Sequence, residues 1–384
     1  MTATTVAALR ATLDEHDRGV FARSGLLAGL ILRDADCYGA LAQRILGLQC
    51  HPMEVEAASA DARAVAEADY LRALWQQIVS PAAEHDLLAS LILLGFAVGQ
   101  VLWVPGDDGQ LVPQLDPWPS EAVEYDRGTR GWYAITQDRG RIPITPGDGQ
   151  WVLLTSRSAH RPHWWGAIRP VAEWYLRSSY AANDASRRSE VVGTPIWAAH
   201  LPAGARQTPD GKAFVRSIRT MGRNAVIPLP RGREESESYD VRLIEAETDA
   251  YLIFDWLQRC GGGKIRLAIL GQDLTSQNNK VGTNASSETG ESITEQVIEA
   301  DARAVSDCYT QQLARPLVEY RTGDARLTPR VCIDAEPEAD TRAEADAMTQ
   351  MAAAAQAWRD LGLEVDVEEM ARRARVPTIA RGQE

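Results

Sequence analysis

The chain has 384 residues, 45% of them apolar, which allows two or three domains with packed cores. Its formal net charge of −13 argues against a general tight binder of nucleic acid, whose surface would be basic. Five scattered cysteines without CxxC spacing indicate reduced thiols in a cytosol. The start lacks a signal-peptide pattern and no apolar run reaches about eighteen residues, so we expect a soluble protein.

The first 160 residues predict helices followed by strands. Apolar residues recur at helical spacing from the N-terminus to about Ser80. Between Leu91 and Thr155 the pattern changes to short strands, separated by turns such as Pro-Gly-Asp-Asp-Gly. We expect the tryptophans of this second region to fill a core rather than to bind a sugar or a base; they are Trp118, Trp132 and Trp151.

The charge balance inverts between Arg157 and Arg233, where thirteen basic residues face four acidic ones, a net of +9 that leaves −22 for the rest. This stretch predicts a helix of about 20 to 25 residues ending near Gly193. A strand, a short helix started by Asp210 and two more strands follow it. Because segregated charge commonly marks an interaction surface, we single out its later basic residues. They are Arg206, Lys212, Arg216, Arg219, Arg223, Arg231 and Arg233, of which Arg216, Arg219 and Arg223 share a helical face.

Two helices that enclose a polar loop are predicted between Thr248 and Arg321. The first turns of the first helix are apolar around almost their whole circumference, which is typical of a helix buried in a core or against neighbouring subunits. Residues 276–292 consist mainly of Ser, Thr, Asn and Gly and predict a long mobile loop, which is usually functional. Three glycines, Gly261 to Gly263, cost helix stability and indicate a kink. Beyond this region we expect one strand near Val331, a helix from Thr341 through Trp358 and a short helix ending before Pro377.

Catalytic and metal-binding patterns are weak. Gly263-Lys264 lacks the upstream Gly and the following Ser or Thr of a phosphate loop. His160 and His163 have helical spacing but no Cys or carboxylate partner at a characteristic distance in sequence, so we interpret them as loop histidines. We therefore expect no catalytic residue, no metal and no cofactor.

The motifs LGQDLT at Leu270–Thr275 and LARPLV at Leu313–Val318, with shorter matches upstream, occur in a fixed order along the chain. They resemble, in that order, motifs of the portal proteins of tailed bacteriophages, in particular the Mu-like branch. The two more specific ones are LGQDLT, in which Leu270, Gly271, Gln272, Leu274 and Thr275 match, and LARPLV, in which Leu313, Arg315, Pro316, Leu317 and Val318 match. Upstream matches are Leu32, Arg33, Asp34 and Arg44, then Gly95, Phe96 and Trp103, then Glu190, Gly193 and Pro195. The last motif departs from the family because Arg188 and Ser189 replace a hydrophobic residue.

The resemblance implies an α+β portal fold with wing, stem, clip and crown regions and with long stem and wing helices. The N-terminal part of the wing would comprise residues 1–160, and residues 292–338 would add its long helix and a strand. Stem helices would span 161–193 and 248–272 on either side of a clip at 194–247. The tunnel loop would be 273–291, and the crown helices 339–384.

The resemblance also implies a function. About twelve copies would form a ring-shaped channel at a capsid vertex for DNA packaging and ejection. Its partners would be double-stranded DNA, the large subunit of the terminase motor, the head–tail adaptor and the major capsid protein, with no membrane. The subunit would be assembled in the host cytoplasm and reside in the virion. The basic clip residues would contact motor or adaptor, and the loop residues facing DNA would be Gln277, Asn278, Asn279, Lys280, Asn284 and Ser286.

Alternatives from other classes stay open at the level of sequence. A soluble hydrolase or a carbohydrate-binding protein could use the tryptophan-rich strands. A DNA-binding scaffold other than a portal would show salt-sensitive affinity for duplex DNA. A predominantly negative channel wall would, by contrast, let DNA slide, since each neutralised phosphate adds affinity.

Overall fold

A computed structural model describes residues 5–106, 109–155, 158, 161–193, 196–201, 204–219, 240–244, 250–273, 284–335, 349 and 353. The chain divides into two compact units, Met1–Ile333 and Asp334–Glu384. All helices and strands delimited below belong to the first unit. In the second unit, Thr349 and Ala353 are helical, within the helix predicted from Thr341. The rest of that helix and the short one predicted before Pro377 lie outside the described residues.

The architecture is mixed, with runs of helices and runs of strands, in agreement with the α+β prediction. The helices are α1 Val6–Arg18, α2 Ala22–Ile31, α3 Ala35–Gln49, α4 Ala62–Ile78, α5 Pro81–Leu94, α6 Ile168–Gly193, α7 Pro209–Arg219, α8 Ala250–Leu270, α9 Asn284–Tyr309 and α10 Arg315–Thr322. The strands are β1 Met53–Glu56, β2 Phe96–Pro105, β3 Leu111–Pro117, β4 Val123–Asp126, β5 Gly131–Thr136, β6 Gly140–Ile144, β7 Trp151–Thr155, β8 Ile196–His200, β9 Asp240–Ile244 and β10 Arg330–Ile333.

Local sequence signals set several helix ends. The side chain of Asp34 accepts a hydrogen bond from the backbone N–H of Cys37 at 3.0 Å and caps α3. Ser80 caps α5 in the same way, and Pro81 occupies the first helical position, where no N–H is needed. Gly95 ends α5 with a φ of +80°. This left-handed conformation, which glycine adopts without strain, turns the chain directly into β2.

Two antiparallel three-stranded sheets hold the aromatic core. Their strand orders are β3-β2-β7 and β4-β5-β6. Phe96 lies 4.2 Å from Phe21 and 5.0 Å from Trp132 between ring centroids. Trp132 and Trp151 are buried, so the prediction that these tryptophans fill a core is confirmed for both. A Trp-rich surface for binding a carbohydrate is therefore not supported.

Strands β1 and β10 connect the two ends of the first unit. They pair antiparallel, with Met53 opposite Ile333 and Glu56 opposite Arg330. Nearby, the guanidinium of Arg321 forms a salt bridge of 3.1 Å with Glu67 and lies over the ring of Tyr70. Helix α10 is thereby fixed to α4, although some 250 residues separate them in sequence.

Helix α8 packs closely against α6 and α3 through Gly261 and Gly262, whereas Gly263 faces the carboxylate of Asp273 just beyond the helix end. A Cβ on Gly261 would collide with the hydroxyl of Ser178 on α6, and one on Gly262 would lie 2.5 Å from the carboxylate of Asp36 on α3. The helix continues through Gly261–Gly263. The structure therefore gives Gly261 and Gly262 a role other than the predicted kink, namely close approach between helices.

The predicted loop at residues 276–292 is wrong in its second half, because α9 begins at Asn284. Composition reflects the tendency of the polar segment in isolation. A segment that continues an existing helix adds one hydrogen bond per residue without a new nucleation cost. Residues 274–283 lie outside the described part. At its other end, α9 passes into a π-helical turn at Thr310–Ala314 before α10, so the predicted single helix to Arg321 is interrupted.

Candidate functional site

The C-terminal end of α8 is attached to the side of α9. The attachment lies at residues 271–273, immediately before the undescribed residues 274–283. Gly271 terminates α8 with a φ of +78°, and its N–H donates to the carbonyl of Leu267 at 3.1 Å. Gln272 is buried and donates from Nε2 to Oγ1 of Thr294 at 3.2 Å. Within the LGQDLT motif, Gly271 thus forms the turn that ends α8. Gln272 then attaches the chain to α9 just after this turn.

Arg44 joins three helices at this point. Its Nε and one terminal nitrogen donate to the two carboxylate oxygens of Asp301 on α9, at 2.7 and 3.0 Å. Its other terminal nitrogen donates to the carbonyl of Ile269 on α8 at 2.6 Å. The side chains of Arg44 and Asp301 are only 17% and 18% exposed, so this two-pronged pair is poorly hydrated and strong. The resemblance had singled out Arg44, but nothing in the sequence identified Asp301 as its partner.

A second arginine holds the last turn of α8. Arg266 donates from Nε to Asp273 at 2.8 Å and forms a further short ion pair with Asp36 on α3. Its side chain is 12% exposed, whereas both carboxylates are about two-fifths exposed. The arrangement therefore fixes the backbone up to Asp273. Of the predicted DNA-facing residues, Gln277 to Lys280 lie outside the described part, and Asn284 and Ser286 lie in the first two turns of α9.

The basic segment folds as a small unit of β8, α7 and β9. Strands β8 and β9 pair antiparallel, with Ile196 opposite Ile244. Helix α7 begins at Pro209, and Oγ1 of Thr208 accepts from the N–H of Gly211 at 3.1 Å, so the cap is Thr208 rather than the predicted Asp210. The predicted strand that follows α7 lies outside the described residues.

Three of the seven predicted basic contact residues are described with exposed side chains: Arg206, Lys212 and Arg216. Lys212 and Arg216 are four residues apart on α7 and therefore lie on the same face. Arg219 is the last residue of the helix. Arg223, Arg231 and Arg233 lie outside the described residues. The structure thus brings together part of the predicted set on one small helix.

The first turns of α8 expose large apolar side chains. Leu252, Ile253 and Trp256 are 51%, 61% and 59% exposed in the single chain. The prediction that this helix is buried in a core or against neighbouring subunits is therefore not met within one subunit. Exposed apolar side chains this close together on one helix are typical of a contact surface.

The histidines and buried thiols show no arrangement for chemistry. His163 is buried, and its Nε2 lies 3.3 Å from the carbonyl of Asp17, so the interpretation as a loop histidine missed its place in the core. Burial lowers the pKa of His163 to about 4. It raises the pKa of Cys37 and of Cys308 to about 12, so neither thiol is an activated nucleophile. His160 lies outside the described residues, among which no cluster of His, Cys, Asp and Glu could hold a metal.

No helix in the described part of the chain combines the length and the apolar content needed to cross a membrane.

Comparison with solved structures first identifies the class of fold. A chain in the "Virion of native gene transfer agent (GTA) particle" matches with a TM-score of 0.61 at 13% identity, covering 98% of this chain and 100% of that one. A chain in the "Neck of native GTA particle computed with C12 symmetry" matches with a TM-score of 0.59 at 12% identity and the same coverage. An HK97-family phage portal protein from Corynebacterium diphtheriae matches at 11% identity, over 79% of this chain and 94% of that one, with a TM-score of 0.42. The fold is thus shared with the chains from the gene transfer agent particles.

The family follows from the sequence itself. The model of the family described as "Portal protein of Mu bacteriophage" matches residues 26–376. This chain therefore belongs to that family of portal proteins, and the resemblance read from its motifs is confirmed. No curated protein matches the sequence.

Proposed function

We propose that about twelve copies of this chain close into a ring around a channel through which DNA is packaged and ejected. The observation that carries this proposal is the family match across residues 26–376. The fold shared with a particle neck computed with C12 symmetry supports the copy number. In this function the ring would occupy a capsid vertex of a phage or phage-like particle. It would contact the major capsid protein, the terminase large subunit and the head–tail adaptor, and would catalyse no reaction.

The regions of a portal can be assigned to the described elements. Helices α6 and α8, packed together through Gly261, would form the stem at 161–193 and 248–272. The unit of β8, α7 and β9 would be the clip, at 194–247. The two three-stranded sheets with α1 to α5, together with α9, α10 and β10, would form the wing, at 1–160 and 292–338. The crown would comprise 339–384.

Ring closure would bury the exposed apolar face at the start of α8. Full burial of one large apolar side chain contributes about 1.5–3 kcal/mol, so the loss of one such contact at every interface weakens the ring. Trp256→Glu should therefore shift the protein from a particle of about twelve times 42.1 kDa towards smaller species. Light scattering after size-exclusion chromatography measures that mass.

A matched control is Tyr38→Glu, since Tyr38 is a 63% exposed aromatic residue on α3. This variant should keep the mass of the wild-type ring. Rings of unchanged mass and stability in Trp256→Glu would contradict the assignment of this face. A wild-type chain that is a monomer to tetramer under all conditions would contradict the ring itself.

The residues that follow Asp273 would project towards the channel and contact DNA. This role is supported by Arg44, Arg266 and Gln272, which fix the chain on one side of the segment. Lys280 is the only cation in residues 274–283. Replacing residues 277–280 by Gly-Ser-Gly-Ser should alter the length of packaged DNA or its retention. Lys264→Ala, an exposed lysine change on α8, serves as the control. Normal packaging and retention in the four-residue variant would refute this role.

The basic face of α7 would dock the motor and later the adaptor. Arg206, Lys212 and Arg216 are exposed at the surface of the small unit, as a docking site requires. Changing Lys212, Arg216 and Arg219 together to Glu should leave rings intact and reduce the yield of DNA-filled particles. Arg326→Glu, at a 92% exposed arginine of the first unit, is the matched change. A normal particle yield in the triple variant would exclude the face as a docking site.

A further inference from the structure

An open groove runs along the described part of α9, beside the end of α8. Its volume is about 760 Å³, and its lining includes Ile269, Ile293, Val297, Ala300 and Ala304. The small side chains of the two alanines leave the depression. From Ile293 to Ala304 the groove follows α9 for about 17 Å, or three helical turns. A rim of the groove carries Trp165, which is 74% exposed.

Two arginines are held next to this rim by a neighbouring tryptophan. The guanidinium carbons of Arg161 and Arg127 lie 3.9 and 5.7 Å from the ring centre of Trp164. Both side chains are exposed, and neither forms an ion pair with any residue that the structure describes. Arg169 also lies over this ring but is paired with Asp17. Stacking on an indole orders a guanidinium while its N–H groups stay available to an anion.

The arginines and the groove form one continuous surface. The backbone N–H of Arg161 donates to Oγ of Ser158 at 3.3 Å. Ser158 itself lines the groove, as does Trp165, the residue after Trp164. A largely apolar depression about three turns long, whose lining also includes the paired Arg44 and Asp301, therefore ends near two ordered guanidinium groups. Neither guanidinium forms an ion pair within the described part of the chain.

We propose that this surface docks an acidic amphipathic helix of another protein, with its apolar side in the groove and its carboxylates on Arg127 and Arg161. Laying an apolar helix face into a groove is a common mode of peptide recognition. Carboxylates match the two-pronged geometry of guanidinium groups. The chain has a net charge of −13, so an acidic segment is repelled over most of the surface and attracted here. Duplex DNA would meet the arginines but has no apolar face to fill the groove.

Trp165 would be the anchor of the complex. Tryptophan and arginine are the residue types that most often dominate binding energy at protein interfaces. The surface lies apart from the exposed start of α8 and from α7, and the inference does not rest on the ring or on either of those contacts.

Selection from a library of ribosome-displayed random 16-residue peptides on the full-length protein tests the chemistry of the partner. Enriched peptides should carry an excess of Asp and Glu and apolar residues at spacings of three and four. Their affinity, measured by fluorescence anisotropy, should fall at least tenfold in Arg127→Glu/Arg161→Glu and also in Val297→Asp. Arg326→Glu should change it less than twofold.

Three results would overturn the proposal. One is the absence of enriched peptides whose binding depends on Arg127, Arg161 and Val297. Another is salt-sensitive binding of a 20-base-pair duplex that is lost in the arginine variant, which would make the surface a nucleic-acid site. The third is loss of self-association in Val297→Asp without other proteins, since the groove would then be filled by a second copy. Circular dichroism of each variant separates these results from misfolding.

Discussion

Replacing Arg44 by Met should loosen the junction from which residues 274–283 depart. The change leaves the carboxylate of Asp301, which is 18% exposed, without its partner and removes the donor to the carbonyl of Ile269. Removal of one member of a buried ion pair costs about 3–5 kcal/mol, and the partial exposure of this pair favours the lower end, about 3 kcal/mol. That free energy corresponds to about a 150-fold rise in local opening, at 1.36 kcal/mol per factor of ten.

Hydrogen exchange followed by mass spectrometry measures this opening locally. Peptides covering the last turn of α8 and residues 294–305 of α9 should lose protection in Arg44→Met. Arg303→Met is the matched control, because Arg303 pairs with Glu299 on the same helix but is 73% exposed. Such a surface pair contributes less than about 1 kcal/mol. Removing both charges in Arg44→Met/Asp301→Leu should restore part of the protection. Equal losses in Arg44→Met and Arg303→Met would refute the reasoning.

Two further predictions concern close packing and protonation. Gly262→Ala should lower the thermal midpoint, because overpacking against Asp36 costs about 1–3 kcal/mol and so exceeds the helical preference for Ala. The control is Gly39→Ala, which should raise the thermal midpoint because a Cβ at that position meets no atom within 4 Å. Equal effects of the two changes would contradict the close-approach role of Gly262. Burial lowers the pKa of His163 to about 4 and also lowers the pKa of His16. In the unfolded chain a histidine has a pKa of about 6.5, so below this pH the unfolded state binds more protons than the folded state. The free energy of unfolding should therefore fall as the pH decreases from 6.5 to 4. Thermal midpoints over this pH range should depend less on pH in His163→Gln, and an unchanged slope would contradict the assignment to His163.

Segments with regular apolar spacing, and the Gly and Pro residues that bound them, were sufficient to predict most helices and strands. Helix α6 ends at Gly193, as predicted, and β2 begins directly after the glycine that ends α5. The two specific motifs identified the family over most of the chain, because their residues occupy turns and packed helix ends. Gly271, for example, has the positive φ that its place in the motif requires.

Pairings between distant segments could not be predicted. Strand β1 is only four residues long and takes its partner from the far end of the first unit. Asp301 was one carboxylate among many on a polar helix, and only the fold places it against Arg44. The glycines at 261–263 were interpreted from the low helix propensity of glycine. In the structure, the lack of a Cβ allows other side chains to approach the helix closely. Propensity describes a segment alone, and these features belong to contacts between segments.

The pairing of β1 with β10 delays completion of the first unit until late in synthesis of the chain. Residues 53–56 find their hydrogen-bonding partner only when residues 330–333 have been synthesised. At about 5–20 residues per second, the ribosome needs roughly 14–55 s to cover that interval. During this time the nascent chain has an unsatisfied strand edge near its beginning, which is a site for wrong pairing between chains. A chain that ends before Arg330 lacks the strand that pairs with β1, so it keeps this edge unpaired and should associate wrongly with other copies.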